Sequence, residues 1–309
     1  MTSGTGAVVL TLVALVAGGL LAAAFHGVLS GRSVGVTVRD GLTLPVAESA
    51  RLLRQRRRTT IGADALLWRI GGIGLVLTPL VMLAVVPLGP APVLDSPVGV
   101  VWFNAADVLV WAFVWLVGWG ANSVYGLVGG YRFLASALTY ELPLMFALTT
   151  PAVAAGSLRV SDLVAAQQSL PYALWMPVAF LITCVGVVGF SVWGPLSPAA
   201  GRDLAGGVLA ELSGPDRLLV QAGRYLLLVA GAAFVVAVFL GGGNGPLLPG
   251  WAWTLVKTAV LTAALVAVRR RAALLRPDRF LEVGWLVLLP AALLQLLVVS
   301  IVVVVGGTS

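Results

Sequence analysis

The chain has 309 residues, of which 60% are hydrophobic and 10% charged, and its mean hydropathy is +1.03. A soluble domain carries roughly 25% charged residues, so this composition describes an integral membrane protein and excludes an ordinary soluble enzyme. The formal net charge is +7 with a pI near 10.5, and its placement reads as membrane topology rather than as a nucleic-acid surface. One cysteine, Cys184, and one histidine, His26, rule out an internal disulfide. They also rule out an iron–sulfur ligand set or a multi-histidine metal site built from this chain alone.

A membrane-spanning helix needs about 20 apolar residues. Eight runs meet that length: Gly6–Phe25, Leu66–Leu88, Val98–Trp119, Phe133–Ala155, Leu170–Trp193, Leu218–Leu240, Trp251–Val268 and Val283–Val305. The first lacks the basic start of a signal peptide and is too long for one, so it reads as a retained helix. The sequence predicts an all-α polytopic membrane protein. It forms a single membrane domain over 1–309, with an added amphipathic helix in the first loop.

The loops alternate in charge. Loop 1–2 holds Arg32, Arg39, Arg51, Arg54, Arg56, Arg57 and Arg58, and loop 3–4 reaches Arg132. Arg202 and Arg217 follow in loop 5–6, and Arg269, Arg270, Arg271, Arg276 and Arg279 in loop 7–8. Loops 2–3 and 6–7 have no basic residue, and loop 4–5 has only Arg159. Basic residues stay on the cytoplasmic side. Segments 27–65, 120–132, 194–217 and 269–282 are therefore expected in the cytoplasm, and both termini outside.

Loop 1–2 contains Leu44-Pro45-Val46-Ala47-Glu48-Ser49-Ala50-Arg51-Leu52-Leu53-Arg54. Leu44, Val46, Ala47 and Leu52 can line an apolar side while Glu48, Arg51 and Arg54 stay wet, and Pro45 suits a first helical turn. Such a helix rests on lipid headgroups or borders a cavity that admits a lipid-soluble substrate. In loop 5–6, Leu204, Val208, Leu209 and Leu212 suggest a second short amphipathic helix. Lys257, the only lysine, reads as a side chain snorkelling toward the outer surface.

Within the spans, Asp107 and Glu141 are the acids that cost most to hold in lipid, and such groups mark sites by default. They can relay protons through water, or they can pair with Arg224 or Lys257 as neutral glue between helices. Arg224 itself stays protonated and cannot relay by titrating.

Four blocks carry a family resemblance: LPVAESARLLRQ; AVVPLGP; GWGANSVYGLVGGYRFLASALTYELPL; and FLGGGNGPLLPGWAWTLVKT followed by Arg276-Pro277-Asp278-Arg279. In this order they resemble the H subunit of bacterial NADH-quinone oxidoreductase. That family, respiratory complex I subunit 1, includes the membrane anchor of energy-converting nickel–iron hydrogenases. The resemblance implies a component of the bacterial inner membrane that docks under a hydrophilic arm and borders the quinone chamber. It also implies a proton path toward other membrane subunits, with quinone as the substrate of the whole assembly and no cofactor held by this chain alone. By position, Glu141, Glu211, Asp203 and Asp107 would serve the proton path together with Arg224. Glu48, Arg51, Arg132, Arg276 and Asp278 would face the quinone chamber or the arm. The chain departs from the pattern where loop 5–6 reads GPLSPAAG without the usual acids. It departs again at Gln55, where the family carries a glutamate, and at Arg224, where the family's sixth helix carries a glutamate. Three further readings stay open: a hydrogenase-type membrane anchor, a stand-alone ion transporter and, as the missing loop acids permit, an assembly subunit with no proton path.

Overall fold

A computed structural model describes residues 2–32, 35, 37–88, 91–201 and 206–307. Among these residues the chain is helical throughout and contains no strand. The helices are α1 (Thr2–Arg32), α2 (Val38–Arg54), α3 (Ala65–Leu83), α4 (Gly99–Gly120), α5 (Val124–Ala155), α6 (Val160–Ala166) and α7 (Tyr172–Trp175). They continue with α8 (Pro177–Phe190), α9 (Gly214–Phe239), α10 (Gly250–Arg271), α11 (Pro277–Val283) and α12 (Leu289–Gly307). A 3-10 turn at Gly194–Ala200 prolongs α8, and a π-helical turn at Gly284–Leu288 joins α11 to α12. Eight of the resulting segments are long and apolar enough to cross a membrane. The protein is a multi-pass membrane protein.

Helix α9 is the axis of the bundle. Leu227, Leu228, Ala230, Ala232 and every residue from Phe234 to Phe239 are fully covered. Phe234 stacks on Phe103 of α4 with ring centroids 3.6 Å apart. By contrast, Leu293, Leu294, Leu297, Val298, Ile301 and Val302 of α12 remain exposed, as an apolar face solvated by lipid chains would be.

The loops segregate to two ends. At the arginine-rich end, Thr60 Oγ1 donates to the Ala121 carbonyl. Asn122 Nδ2 donates to the Ile61 carbonyl at 3.1 Å, and the Arg58 amide donates to Ser213 Oγ at 2.7 Å. Loops 1–2, 3–4 and 5–6 are thus tied together, and the Leu275 amide bonds the Pro195 carbonyl to bring in loop 7–8. Asp64 accepts from the amides of Leu66 and Leu67 and so caps α3. At the other end, Arg159 pairs with Asp95 at 2.5 Å, joining loops 2–3 and 4–5.

Three expectations change. Helix α2 begins at Val38, because Thr37 accepts from the Asp40 amide and caps it there. Pro45 therefore lies inside the helix. Proline has no amide to offer, so the Gly41 carbonyl one turn earlier loses its helical donor. Helix α1 passes against that carbonyl at Gly27, where a side-chain carbon would come within 2.3 Å of the Gly41 oxygen. Second, loop 5–6 carries no helix at Val208–Leu212. The stretch forms turns, held by the Val208 amide on the Ala199 carbonyl and by the Gly207 amide on the Tyr125 carbonyl. Val208, Leu209 and Leu212 are nevertheless buried. Leu204 and Asp203 lie outside the described residues. Third, Lys257 reaches the loop 6–7 end of the bundle, but its ammonium is held there by protein carbonyls. Its ammonium donates to the carbonyls of Leu240, Gly242 and Asn244 at 2.8, 3.0 and 2.7 Å.

Candidate functional site

A cavity of about 720 Å³ opens at the arginine-rich end between α1, α2, α9 and loop 5–6. Its α1 wall carries His26 and Gly27, and its α2 wall carries Leu44, Pro45 and Glu48. Trp193, Arg224 and Tyr225 close the far side. His26 Nδ1 and the Tyr225 hydroxyl share a hydrogen bond of 2.9 Å. The imidazole meets Trp193 edge-on, with ring centroids 5.1 Å apart. Arg224 donates to the Val192 carbonyl and lies over the Trp193 ring, 5.5 Å from its centroid. Aromatic faces, a cation and a few polar groups around an apolar floor are what a flat, partly polar ring needs.

Glu48 accepts two bonds of 2.7 Å from Arg51, one helical turn away. That hydrogen bond, against the opposing effect of partial burial, holds the Glu48 carboxyl below the usual glutamate value. Arg132 donates to the Gly206 carbonyl at 2.9 Å and reaches the same cavity. It also lines a second hollow of about 520 Å³ with Tyr131, Leu274, Arg276 and Asp278. Arg276 and Asp278 form an exposed ion pair at 3.3 Å. Of the expected residues at the chamber, Glu48 and Arg132 line the main cavity, whereas Arg276 and Asp278 stand at the second one.

The acids divide into two groups. Glu211 in loop 5–6 accepts from Ser123 Oγ at 2.7 Å, at the surface that joins loops 3–4 and 5–6. Glu141 on α5 faces Asp107 on α4, within the bundle. Asn104 Nδ2 donates to Glu141 Oε1 at 2.8 Å. Tyr140 and Trp111 complete this cluster. The pairing of Asp107 or Glu141 with Arg224 or Lys257 is not formed. Both carboxyls lie against α4 and α5, while Arg224 turns to the cavity and Lys257 caps the carbonyl end of α9.

The profile of the family described as NADH dehydrogenase matches residues 6–300. The chain belongs to the NADH dehydrogenase family. The second of the H subunits of NADH-quinone oxidoreductase in Geobacter sulfurreducens is 34% identical over 269 residues, covering 84% of this chain and 82% of the relative. The H subunit of Geobacillus kaustophilus is 32% identical over 310 residues, covering 97% and 93%. The second H subunit of Cereibacter sphaeroides is 35% identical over 268 residues, covering 82% and 81%. As a member of the NADH dehydrogenase family, the chain places its longest similar block, Gly118–Leu144, on the turn and the first two-thirds of α5, which carry Ser123, Arg132 and Glu141.

Sequence reasoning did not find the pairing of His26 with Tyr225, which are 199 positions apart. The available signal was a lone histidine near the arginine-rich end of the first span. It also passed over Gln167, whose amide donates to the Leu163, Ala237 and Val238 carbonyls while its oxygen accepts from the Tyr172 and Gly241 amides. Gln167 is 2% exposed and pins α6 and α7 to the end of α9.

Proposed function

We propose that this chain is the H-type membrane component of an NADH-quinone oxidoreductase assembly. On this reading the 720 Å³ cavity is its share of the quinone chamber. The observation that carries the reading is the position of that cavity. It lies between the amphipathic α2, the first span and loop 5–6, in a chain that aligns with an H subunit along 97% of its length. A quinone is an apolar tail with a flat ring and two carbonyl acceptors. Helix α2 and the α1 wall can admit the tail from lipid, and His26, Tyr225, Arg224 and Trp193 can meet the ring.

The arginine-rich end then faces the cytoplasm and carries a hydrophilic arm on segments 27–65, 120–132, 194–217 and 269–282. Both termini face outward. Arg51, Arg276 and Asp278 are exposed there and available to the arm. Glu211, Asp203, Glu141 and Asp107 serve proton movement, and Arg224 sets the charge of the chamber wall. The electron carriers belong to the partners, and this chain does not transfer electrons alone.

A pull-down of the tagged chain from native membranes in mild detergent tests the reading, with partner identification and with quinone-reductase and hydrogenase assays on the same material. Co-purification of an arm with inhibitor-sensitive quinone reduction is expected. A nickel-binding large subunit would move the chain to the hydrogenase-type anchor. Ion transport by the chain in liposomes without partners would move it to a transporter.

A further inference from the structure

Asp107 is fully buried, and Glu141 is 7% exposed. Asn104, one helical turn before Asp107 on α4, donates to the Glu141 carboxyl of α5 at 2.8 Å, so the two acids stand together at the α4–α5 contact. Among the described residues neither forms an ion pair. One protein donor reaches them, Asn104 Nδ2 on Glu141 Oε1. Glu141 Oε2 and both Asp107 oxygens have no protein donor. Two ionised carboxylates present only acceptors to each other. In a span, without a cation, that arrangement carries the desolvation of two charges and their mutual repulsion.

The surroundings favour one negative charge and not two. Beside the pair stands the buried Tyr140 hydroxyl, with Trp111 Nε1 next to that hydroxyl. Asn104 and Tyr140 make two donors and, among the described residues, no cation pairs with either carboxyl, an environment that can solvate a single delocalised anion. A proton between the carboxyls turns the acceptor–acceptor contact into an O–H donor on a carboxylate, among the strongest hydrogen bonds proteins make.

We infer that Asp107 and Glu141 hold one proton between them, so that Asp107 is a second proton-binding group of this bundle and each carboxyl stabilises the other in place of a cation. The pair carries charge −1 with one proton and zero with two, so proton loading alternates between a strong internal hydrogen bond and a neutral pair. Its part in coupling rests on the function proposed above. The proton count does not.

Infrared spectroscopy of the full chain in its native assembly tests the count. The carboxylic-acid C=O stretch is read before and after H/D exchange, at neutral pH, for wild type and the double variant D107N/E141Q. The wild-type minus variant spectrum is expected to contain one carboxylic acid and one carboxylate. Two carboxylates, or two acids, would overturn the proposal. Tyr140→Phe leaves both carboxyls in place and keeps the test open if the double variant fails to assemble. It should move the exchangeable acid band, and an unmoved or absent band would also overturn the pair. Proton translocation by D107N is measured alongside quinone reduction. Loss of proton translocation is expected, and the quinone-reduction rate reports how tightly the two are coupled. A one-proton pair with unchanged pumping would support the pair and instead overturn its place in the proposed proton path.

Discussion

Ser123 and Glu211, 88 positions apart, meet through a 2.7 Å hydrogen bond at the arginine-rich end of the bundle. Ser123 stands at the start of α5, where a serine hydroxyl ordinarily caps its own helix, yet it makes no such cap. Its donor goes to Glu211 instead, so the α4–α5 turn and loop 5–6 share one polar contact. A hydrogen bond to a charged group contributes roughly 1.5–3 kcal/mol. Ser123→Ala should therefore lower stability by about 1.5 kcal/mol, the low end because both groups are half-buried. Glu211→Gln keeps an acceptor oxygen and should cost less. Thermal unfolding in detergent compares the two. A larger loss of coupled activity in Glu211→Gln than in Ser123→Ala, at similar stability, would assign the carboxylate charge a role beyond holding the loops.

Lys257 supplies the missing donor to three carbonyls where α9 ends and its own helix, α10, begins. The last carbonyls of a helix have no internal partners, and a cation there also meets the negative end of the helix dipole. Trp253 lies against the same ammonium, 5.7 Å from ring centroid to nitrogen. Lys257→Met keeps the length of the chain and removes the donors. It should destabilise the assembly by about 3 kcal/mol, seen as a lower unfolding temperature. Quinone reduction per folded complex should stay near wild type, because the lysine sits at the end opposite the cavity.

The eight spans were legible because each needs some twenty apolar residues in a row, a signal local to one stretch. The amphipathic helix was legible for the same reason, but its start was not. Pro45 resembles a first-turn residue, and only the Thr37–Asp40 contact shows that the helix begins a full two turns earlier. Val208, Leu209 and Leu212 were read as one face of a short amphipathic helix, whereas the chain there forms turns and buries them. Their burial comes from packing between other elements rather than from a helical face. The motif singled out Glu141 and Arg132, which the structure places inside the bundle and at the cavity respectively. His26 with Tyr225, and Asp107 with Glu141 and Tyr140, depend on which helices lie side by side. One sequence without its contacts does not specify that.

Orientation can be read with single cysteines. Cys184 is buried in α8, so it offers little background to a membrane-impermeant maleimide. Leu247, fully exposed in loop 6–7, and Ile61, 98% exposed in loop 1–2, lie at opposite ends of the bundle. Leu247→Cys should label on intact spheroplasts, and Ile61→Cys only after the membrane is opened. The reverse pattern would invert the topology drawn from the arginines and place the cavity on the outer side.

Glu48 gives the cavity mouth a defined response to pH. Its carboxyl is lowered from the ordinary value of 4.5, first by the Arg51 hydrogen bond, with burial opposing and the charges of Arg51 and Arg217 adding to it. A carboxyl whose folded value is depressed contributes stability above its unfolded value, and that contribution fades as pH falls through the lowered one. The Glu48–Arg51 contact should therefore be intact at neutral pH and weaken only below about pH 4.5. The pair is more than one-third exposed, so solvent screening keeps the effect small. Hydrogen exchange of α2 amides in the assembled protein should rise modestly as pH drops through this window, after correction for the intrinsic pH dependence of exchange. Glu48→Gln should remove the step and hold α2 at one level across it. If the wild-type step appeared instead near neutral pH, the Glu48–Arg51 contact would not be its source.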